Sequence, residues 1–393
     1  MSETPPASVS VAESLYTRYF WTASASHFLL GLGFWMFVVF PLHLANLGAS
    51  TARIGLLLAL EPTAAVLVRP ALGGVLSKRG RRWALRGGGL INLFALVLYP
   101  FVDDVGAGMA MVRVLHGVGI GALFTTFFTY AADIAPVERR TEGLAVFGIS
   151  GILPTAFAPV LGEELVLRSG FDALFLAAAV FSVASLALSW DLVEPDAEST
   201  QPAIHGFWRL ACERRHYGVW TTGFLFSLAM SSYVAFLEPF AHSRGIERAG
   251  VFFVCYSLAA VALRVFGRSL PDRLGPRRVL VPALASLTAG LYLLSHLTSL
   301  AVLGAAGLLC GMGHGYLFPI LSGLAIEGTD RNTRGSAMSM FTAVFDLGQM
   351  LGPPFFGVVA EAAGYPAAFL AAMTGVAAAL AGWMRSTWKE LVP

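Results

Sequence analysis

Long apolar segments follow one another along almost the whole chain, and short polar or basic connections separate them. Each apolar segment is close to the ~20 residues that an α-helix needs to cross the hydrocarbon core of a bilayer. The pattern therefore predicts an all-α membrane protein with twelve transmembrane helices. The predicted spans are 18–45, 53–76, 84–102, 106–132, 143–167, 171–193, 217–242, 248–270, 278–296, 299–326, 336–360 and 366–388.

Two polar stretches precede and divide the predicted helices. Residues 1–16 are rich in Pro and Ser and have neither the basic start nor the cleavage site of a signal peptide, so they predict a disordered cytoplasmic tail. Residues 194–216 form the longest polar connection, and their prolines and basic end indicate a cytoplasmic linker. The linker separates an N-terminal six-helix bundle at 17–193 from a C-terminal six-helix bundle at 217–388.

Basic side chains are distributed unequally between the two sides of the predicted membrane. Of the 26 Lys and Arg residues, nineteen lie on the side that carries both termini, four lie on the other side, and three lie within spans. Cytoplasmic connections of membrane proteins carry an excess of Lys and Arg. The distribution therefore places both termini in the cytoplasm, and we expect a multi-pass protein of the bacterial inner (plasma) membrane.

The composition agrees with this interpretation and argues against several classes of function. Hydrophobic residues make up 56% of the chain and charged residues only 13%, whereas soluble domains carry about 25% charged residues. The three cysteines are too few and too scattered for a disulfide framework or a metal site. The sequence shows no catalytic constellation or nucleotide-binding motif, so we expect no enzyme activity, no cofactor, no metal and no nucleic-acid partner.

The second half of the chain repeats features of the first. A basic turn at 73–82 returns about half a chain later at 267–278, and each turn follows an arginine within a span, Arg69 and Arg264 respectively. A glycine-rich motif in the fourth span likewise returns in the tenth. Repetition at a nearly constant offset indicates two structurally equivalent halves.

Residues at fixed spacings within these repeated segments form recognisable sequence motifs. They are Gly73, Val75, Ser77, Lys78, Gly80, Arg81 and Arg82 in the first basic turn, Asp272, Arg273 and Gly275 in the second, Arg113, His116, Gly117, Gly119 and Gly121 in the fourth span, Pro159 and Gly162 in the fifth, and Gly352 and Pro353 in the eleventh. With these motifs the chain resembles the major facilitator superfamily of secondary transporters, in particular its drug/proton antiporter-like members. The chain departs from the family pattern at Ser77, where the family has Asp, and at Ala158, where the antiporters have Gly.

The resemblance implies a fold and a set of partners. The family fold consists of two six-helix bundles related by a pseudo-two-fold axis, and a central cavity between them opens alternately to each side of the membrane. The implied partners are a small-molecule substrate, protons and the lipid bilayer, and we expect a monomer. Because Ser77 replaces the family's acid, we predict that the first basic turn borrows the carboxylate of Asp133.

The two basic turns predict a cytoplasmic gate. Arg and Lys near a helix end can bind its last carbonyl groups, and they can pair with carboxylates on neighbouring helices. Acids recur at equivalent places in the two halves, which membrane topology alone would not require. The candidate gate residues are Arg69, Lys78, Arg81, Asp133, Arg264, Asp272, Arg273 and Glu327. The alternative is that the basic residues only set the orientation of the protein in the membrane.

Ionisable residues within the spans are candidates for substrate binding or proton coupling, because they are costly in a bilayer and normally face a cavity or a partner. Glu61 and Arg113 lie at similar depths, so we predict an ion pair between them. Asp346 is the acid nearest the bilayer centre and has no evident partner in its own helix. The candidates are Glu61, Arg113, Asp346, Glu238, His27 and His116. The alternative for each is structural: a permanent ion pair for Glu61 and Arg113, hydrogen bonds to neighbouring backbone or hydroxyl groups for Asp346, an interfacial position for Glu238, and packing for the two histidines.

Aromatic residues on helices expected to face the cavity predict an apolar wall for the substrate. The candidates are Trp35, Phe124, Tyr233 and Tyr316. Together these features predict a secondary transporter that exports amphipathic small molecules in exchange for protons. A proton-coupled importer or uniporter of a polar metabolite is the first alternative, and a transporter-like receptor or lipid flippase is the second.

Overall fold

The computed structural model describes residues 15–136, 139–195, 210, 212–267, 269–327, 329 and 333–391. Within these residues every regular element is a helix. The predicted cytoplasmic tail, except for its last two residues, and most of the predicted linker lie outside the described part of the chain.

Twelve helical segments, named α1 to α12, make up the described part of the molecule. Eleven are long and apolar enough to span a bilayer, and α8 is a shorter apolar helix of 17 residues. Their bounds are Arg18–Met36 continued by Phe40–Asn46 (α1), Thr51–Arg79 (α2), Arg81–Leu98 (α3), Ala107–Ile134 (α4), Arg140–Ile152 continued by Pro154–Ser169 (α5), Phe171–Ser189 (α6), Tyr217–Ser243 (α7), Gly250–Phe266 (α8), Pro276–Ser295 (α9), Leu300–Ile326 (α10), Arg334–Ala363 (α11) and Tyr365–Leu391 (α12). The predicted all-helical architecture is confirmed.

Prolines interrupt α1 and α5, which the hydrophobic pattern predicts as continuous helices. In α1 a 3-10 turn, Phe37–Val39, precedes Pro41. In α5 the break falls at Leu153, next to Pro154. Proline has no N–H to donate to the carbonyl four residues earlier, and its ring clashes with that carbonyl. The space for Pro154 is provided by Gly31 of α1, where a Cβ atom would lie 2.7 Å from the proline ring.

The helices run alternately between two faces of the molecule. We call one the basic face, because the turn from α2 to α3 lies there with Lys78, Arg79, Arg81 and Arg82. The opposite face, where α2 begins at Thr51, is the far face. The start of α1 and the short helix Leu270–Leu274 between α8 and α9 also lie at the basic face.

Glycines bring α4 and α10 into close contact with their neighbours. A Cβ atom at Gly117 would lie 2.8 Å from the Cα atom of Glu61 in α2, and one at Gly119 would lie 2.7 Å from the Cα atom of Asn92 in α3. The second glycine motif, in α10, packs in the same way against α8 and α9. Small residues permit such close approach of helices in membranes. The repeated motif therefore places α4 and α10 at equivalent positions in the two halves.

Gly119→Val is expected to destabilise this packing, because the new side chain would overlap the backbone of Asn92. Overpacking of this kind costs about 1–3 kcal/mol. Gly148 of α5 is the matched control, since no described atom beyond its own helical turn lies within 4 Å of a Cβ atom built there. Thermal unfolding in detergent should show a clear drop in Tm for Gly119→Val and little change for Gly148→Val. Equal Tm values for the two variants would contradict the packing account.

The two halves, α1–α6 and α7–α12, pack together at the far face. There α2 packs against α11, the segment Pro154–Ser169 of α5 packs against α8, and the end of α1 packs against α7. The Thr51 hydroxyl donates to the Gly357 carbonyl at 3.1 Å, and the Ala52 N–H donates to Oε2 of Glu361 at 2.9 Å. The far face is therefore closed by direct contact between the halves.

Candidate functional site

A cavity of about 300 Å³ lies between the two halves. Helices α1, α2 and α4 line it from the first half, and α7 and α11 line it from the second. Its lining includes the charged residues Glu61, Arg69, Arg113 and Asp346, the polar residues Ser231 and Gln349, and the aromatic residues Phe34, Trp35, Phe37, Phe124 and Phe345. The cavity thus combines an apolar aromatic surface with a small number of ionic groups.

One ion pair crosses the cavity from the first half to the second. The guanidinium group of Arg69 in α2 donates to Oδ2 of Asp346 in α11. The two side chains are 41% and 23% exposed, so solvent reaches both groups. The partner that Asp346 lacks in its own helix therefore comes from the other half of the protein. The structure places Arg69 in the cavity, apart from the gate residues with which the sequence groups it.

The exposure of this pair indicates the direction in which the cavity opens. The halves are in contact at the far face, so water does not reach the pair from that side. Arg69 and Asp346 lie nearer the basic face along α2 and α11 than Glu61 and Gln349 do, so their exposure comes from that side. The cavity therefore opens to the basic face in this conformation.

A second ion pair lies in the cavity wall within the first half. Nη2 of Arg113 in α4 lies 2.7 Å from Oε2 of Glu61 in α2, and the side chains are 4% and 12% exposed. Arg113 also donates to the carbonyl groups of Leu57 and Leu58 at 3.3 and 3.2 Å and to the Tyr99 hydroxyl at 3.4 Å. The predicted contact between Glu61 and Arg113 is present, and backbone groups of α2 hold the rest of the guanidinium.

Aromatic side chains form the wall on the side of the first half. Trp35 and Phe124, both predicted for this position, line the cavity together with Phe34. The Phe34 ring packs edge-on against the other two, with ring centroids 5.5 and 5.4 Å apart. On the opposite wall, the side-chain amide of Gln349 donates to the Ser227 carbonyl at 2.9 Å. This hydrogen bond fixes the orientation of the Gln349 side-chain carbonyl group. Such a lining can accept apolar rings while offering few polar contacts.

The two histidines predicted as proton carriers lie inside the packed first half. His27 is fully buried, with Nδ1 2.8 Å from Oγ of Ser150 and its ring stacked on Phe147. Nδ1 of His116 lies 3.1 Å from the hydroxyl of Tyr99. Neither histidine is among the residues that line the central cavity. The structure therefore gives both a hydrogen-bonded place in the helix packing.

Three more predicted residues also lie away from the central cavity. Tyr233 is 1% exposed and packs against Phe252 within the second half. Tyr316 lines a separate pocket near the basic face, and its hydroxyl donates to the Gly267 carbonyl at 3.0 Å. Glu238, expected as a shallow residue, is 4% exposed at the far face. The depth of a residue along a helix can be predicted by counting residues in the sequence. The side of the helix that it occupies cannot, and these residues lie on sides that do not face the central cavity.

Carboxylates from two other helical regions hold the first basic turn. Nε of Arg81 lies 2.7 Å from Oδ2 of Asp133 at the end of α4, so the acid predicted to serve this turn does contact it. Glu194, beyond the end of α6, accepts from the backbone N–H groups of Arg81 and Arg82 at 2.5 and 2.9 Å. Gly80 directly precedes Arg81 and has φ +87°. Because it has no Cβ atom, it leaves room for the Glu194 carboxylate.

The other gate candidates are spread over the basic face. Lys78, Asp272 and Arg273 are exposed. Glu327 is also exposed and lines a pocket together with Arg264. Nε of Arg264 is buried and has no hydrogen-bond partner in the described part of the chain. Because the cavity is open toward this face, contact between the halves through these residues remains a prediction for the opposite conformation.

Asp133→Asn is expected to lower the population of the conformation that opens to the basic face, because it frees the predicted gate residue Arg81 from a contact within its own half to meet the other half when this face closes. A partly exposed ion pair contributes about 1 kcal/mol or less, and 1 kcal/mol changes a population ratio about five-fold. Asp272→Asn is the matched comparison from the second basic turn, where Asp272 is exposed in this conformation. The distance between labels across the basic face reports the populations. A shift caused by Asp272→Asn and not by Asp133→Asn would show that the first turn does not depend on Asp133.

Comparison with known families agrees with this architecture. The family model described as Major Facilitator Superfamily matches residues 23–263 and again residues 219–390. The chain belongs to the major facilitator superfamily. Its members are transporters, so the protein is a multi-pass secondary transporter and not an enzyme. The repeated match reflects the duplication of the two halves.

Individual members of the superfamily are similar over most of their length. The staphylopine export protein of Staphylococcus aureus is 22% identical over 347 residues, which cover 84% of this chain and 85% of that protein. The MFS-type transporter SLC18B1 of Homo sapiens is 26% identical over 372 residues, which cover 87% and 79%. Among solved structures, the nucleoside transporter NupG has a TM-score of 0.78 at 15% identity and covers 94% of this chain and 99% of its own. These structural likenesses show the shared fold.

Three polar residues that the sequence analysis passed over have defined places in the structure. Glu194 directly precedes Pro195 of the linker, and its carboxylate caps the N-terminus of α3 because α6 ends at the face where α3 begins. Gln349 lies three residues after Asp346, a spacing that places both on one side of α11. Glu163 directly follows Gly162 of the fifth-span motif and is 6% exposed at the far face.

Proposed function

We propose that this transporter exports amphipathic small molecules across the bacterial inner membrane in exchange for protons. The observation that carries the proposal is the Arg69–Asp346 ion pair, which joins the two halves inside a largely aromatic cavity. The basic face is then cytoplasmic, because most Lys and Arg residues in the connections lie on that side. The structure would represent the inward-facing conformation of an alternating-access cycle.

The Arg69–Asp346 pair offers a way to couple protons to the movement of the halves. A proton on Asp346 removes the negative charge that attracts Arg69, so the link between α2 and α11 weakens. A cationic group on the substrate competes with Arg69 for the same carboxylate. Proton and substrate would therefore occupy Asp346 in turn, which is what exchange requires.

Glu61 and Arg113 would form a second coupled element in the same wall. A proton on Glu61 would release Arg113 toward water or toward an anionic group of the substrate. The position of both side chains in the cavity lining supports this role, and the Glu61 carboxylate is the more exposed of the two, at 12% against 4%. The alternative, a permanent ion pair that holds α2 against α4, predicts that transport is independent of the charge on Glu61.

The cavity and the relatives support the substrate class and the direction. Small-molecule sites have volumes of about 300 to 1,000 Å³ and mostly apolar linings with a few polar groups, and this cavity has about 300 Å³. Its aromatic wall and its two ion pairs fit a molecule with an apolar body and a charged group. The staphylopine export protein, similar over 84% of this chain, supports export.

Transport into proteoliposomes with an imposed pH gradient tests the proposal. The substrate would first be chosen from a thermal-shift screen of amphipathic compounds at two pH values. Liposomes with an acidic lumen should accumulate it, because protons leave as the substrate enters, and collapse of the gradient by nigericin should abolish accumulation. Transport that ignores the gradient would indicate a uniporter, and accumulation with the opposite gradient would indicate an importer.

A further inference from the structure

The contact between the halves at the far face contains two buried carboxyl groups, one from each half. Glu163 of α5 is 6% exposed and Glu238 of α7 is 4% exposed, and the two are near enough to interact electrostatically. Neither is among the residues that line the central cavity. Glutamate is almost never fully buried unless it is paired. The environment of each carboxyl group therefore indicates whether it is ionised or neutral.

Glu163 is placed where a negative charge is stabilised. Its Oε1 atom accepts a hydrogen bond from the backbone N–H of Gly250 at 3.1 Å, and Gly250 is the first residue of α8. The first turn of a helix has unpaired N–H groups and carries a partial positive charge, and both favour a carboxylate. The other charged groups that act on Glu163 are Arg248 and Glu164. Glu163 thus joins α5 of the first half to α8 of the second through a hydrogen bond that favours its ionised form.

Glu238 has no comparable support. Its Oε1 atom is buried and has no hydrogen-bond partner in the described part of the chain. The charged group that acts on it is Glu163, which has the same sign when ionised. An unpaired carboxylate in a protein interior is strongly disfavoured by the loss of its hydration, and a nearby like charge adds to this cost. A neutral carboxyl group avoids most of both costs.

We propose that Glu238 is a proton-binding site of the transport cycle, occupied while the far face is closed and empty when that face opens. When the halves separate, α8 moves away from Glu163 and α7 exposes Glu238 to water, where its carboxyl group ionises and releases the proton. Closure then requires a proton from the far side of the membrane. The inference rests on the proposed function for its place in the cycle, and it adds a proton site distinct from Asp346 whose proton binds and leaves on the far side and is not carried across the membrane.

Other titratable groups lie on the helices around this contact. They are His43 on α1, Glu164 on α5, Arg248 before α8, Glu361 on α11 and Tyr365 on α12. Glu164 pairs with Arg168 on the surface of its own helix at 2.5 Å, and His43 is influenced by the acids Asp103 and Asp172 at the far face. Among the described residues, Glu163 is the group whose charge acts on Glu238.

Distances across the far face, measured at a series of pH values, test the inference. Spin labels would be attached at Ser169→Cys and Thr298→Cys, on exposed far-face connections of the two halves, in a chain whose native cysteines are replaced by alanine. In lipid nanodiscs, the labelled protein with native Glu163 and Glu238 should give short distances between the labels at acid pH. A growing population of long distances should appear as the pH rises. Glu238→Gln, which mimics the protonated acid, should give short distances at every pH.

Two further variants complete the test. Glu163→Gln weakens the contact that joins α5 to α8, so the closed far face is less stable and the transition to long distances should move to lower pH. Glu164→Gln, at the adjacent and partly exposed position, is the matched control and should respond nearly as the parent does, because the Glu164 carboxylate pairs with Arg168. A Glu238→Gln protein whose distances still follow pH would overturn the inference, and so would a parent protein whose distances ignore pH.

This measurement requires neither substrate nor a pH gradient across a membrane. Its failure is therefore distinguishable from failure of proton exchange in liposomes. If Glu238→Gln abolished the pH response in a protein that does not exchange protons for substrate, the proton site at Glu238 would be supported and the proposed function would be wrong. If exchange persisted while the far face ignored pH, the proposed function would stand and Glu238 would have no part in it.

Discussion

Arg113→Leu is expected to lower the free energy of unfolding by about 3–5 kcal/mol, because removal of one partner of a buried ion pair leaves the other charge uncompensated. Glu61 would lose the guanidinium 2.7 Å away. The carbonyl groups of Leu57 and Leu58, which accept hydrogen bonds from Arg113, would lose that donor in a wall with little access to water. We also expect transport to fall below detection, since α2 and α4 bound the cavity.

A double-mutant cycle separates the ion pair from the rest of the arginine's contacts. Glu61→Gln alone should cost less, because Arg113 keeps its backbone acceptors, and combining it with Arg113→Leu should recover part of the loss. Arg168→Leu is the control, since Arg168 is paired but 76% exposed, and such pairs contribute about 1 kcal/mol or less. Unfolding in detergent micelles gives the four stabilities. Strictly additive losses would mean that the two charges do not stabilise each other.

Asp346→Asn is expected to reduce proton-driven accumulation of substrate by about ten-fold or more, which corresponds to a loss of ~1.4 kcal/mol of coupling free energy. Asparagine cannot ionise, so it cannot exchange a proton, and it no longer holds Arg69 by charge. The effect on stability should be smaller than that of Arg113→Leu, because Arg69 is 41% exposed and water can solvate it. The measurement is uptake into liposomes with an acidic lumen.

Substrate exchange without a gradient provides the internal control for Asp346→Asn. If that exchange continues while accumulation is lost, the variant is folded and uncoupled. Asp346→Glu keeps an ionisable group and should retain part of the coupling. Glu61→Gln should be measured in parallel, and if both Asp346→Asn and Glu61→Gln transport with unchanged pH dependence, neither acid carries the coupling.

The site was predictable from the sequence wherever depth in the membrane decided a contact. Glu61 and Arg113 lie on adjacent helices of one bundle at similar depths, and few other charges are present to compete, so their pairing followed from counting residues along each helix. Asp133 was predictable as the partner of the first basic turn because the end of α4 and the start of α3 meet at the same face. In each case the two residues belong to the same half.

Contacts between the halves were not predictable in the same way. The sequence groups Arg69 with the gate because it precedes the basic turn, yet it pairs with Asp346, which lies in the other half. His27 and Tyr233 have the expected depth, but the rotation of their helices turns them into the packing. Hydropathy does not encode this rotation when a helix is apolar on all sides.

The sequence by itself determined the number and order of the membrane helices, the duplication of the halves and the side that carries the basic turns, because these follow from local hydropathy, charge and spacing. The tertiary structure alone decided which charges meet across the cavity, which face is closed, and that Glu163 and Glu238 are buried together where the halves touch. These depend on how two rigid bundles are set against each other. That arrangement is free to change during transport, so the local pattern of residues in either half does not specify it.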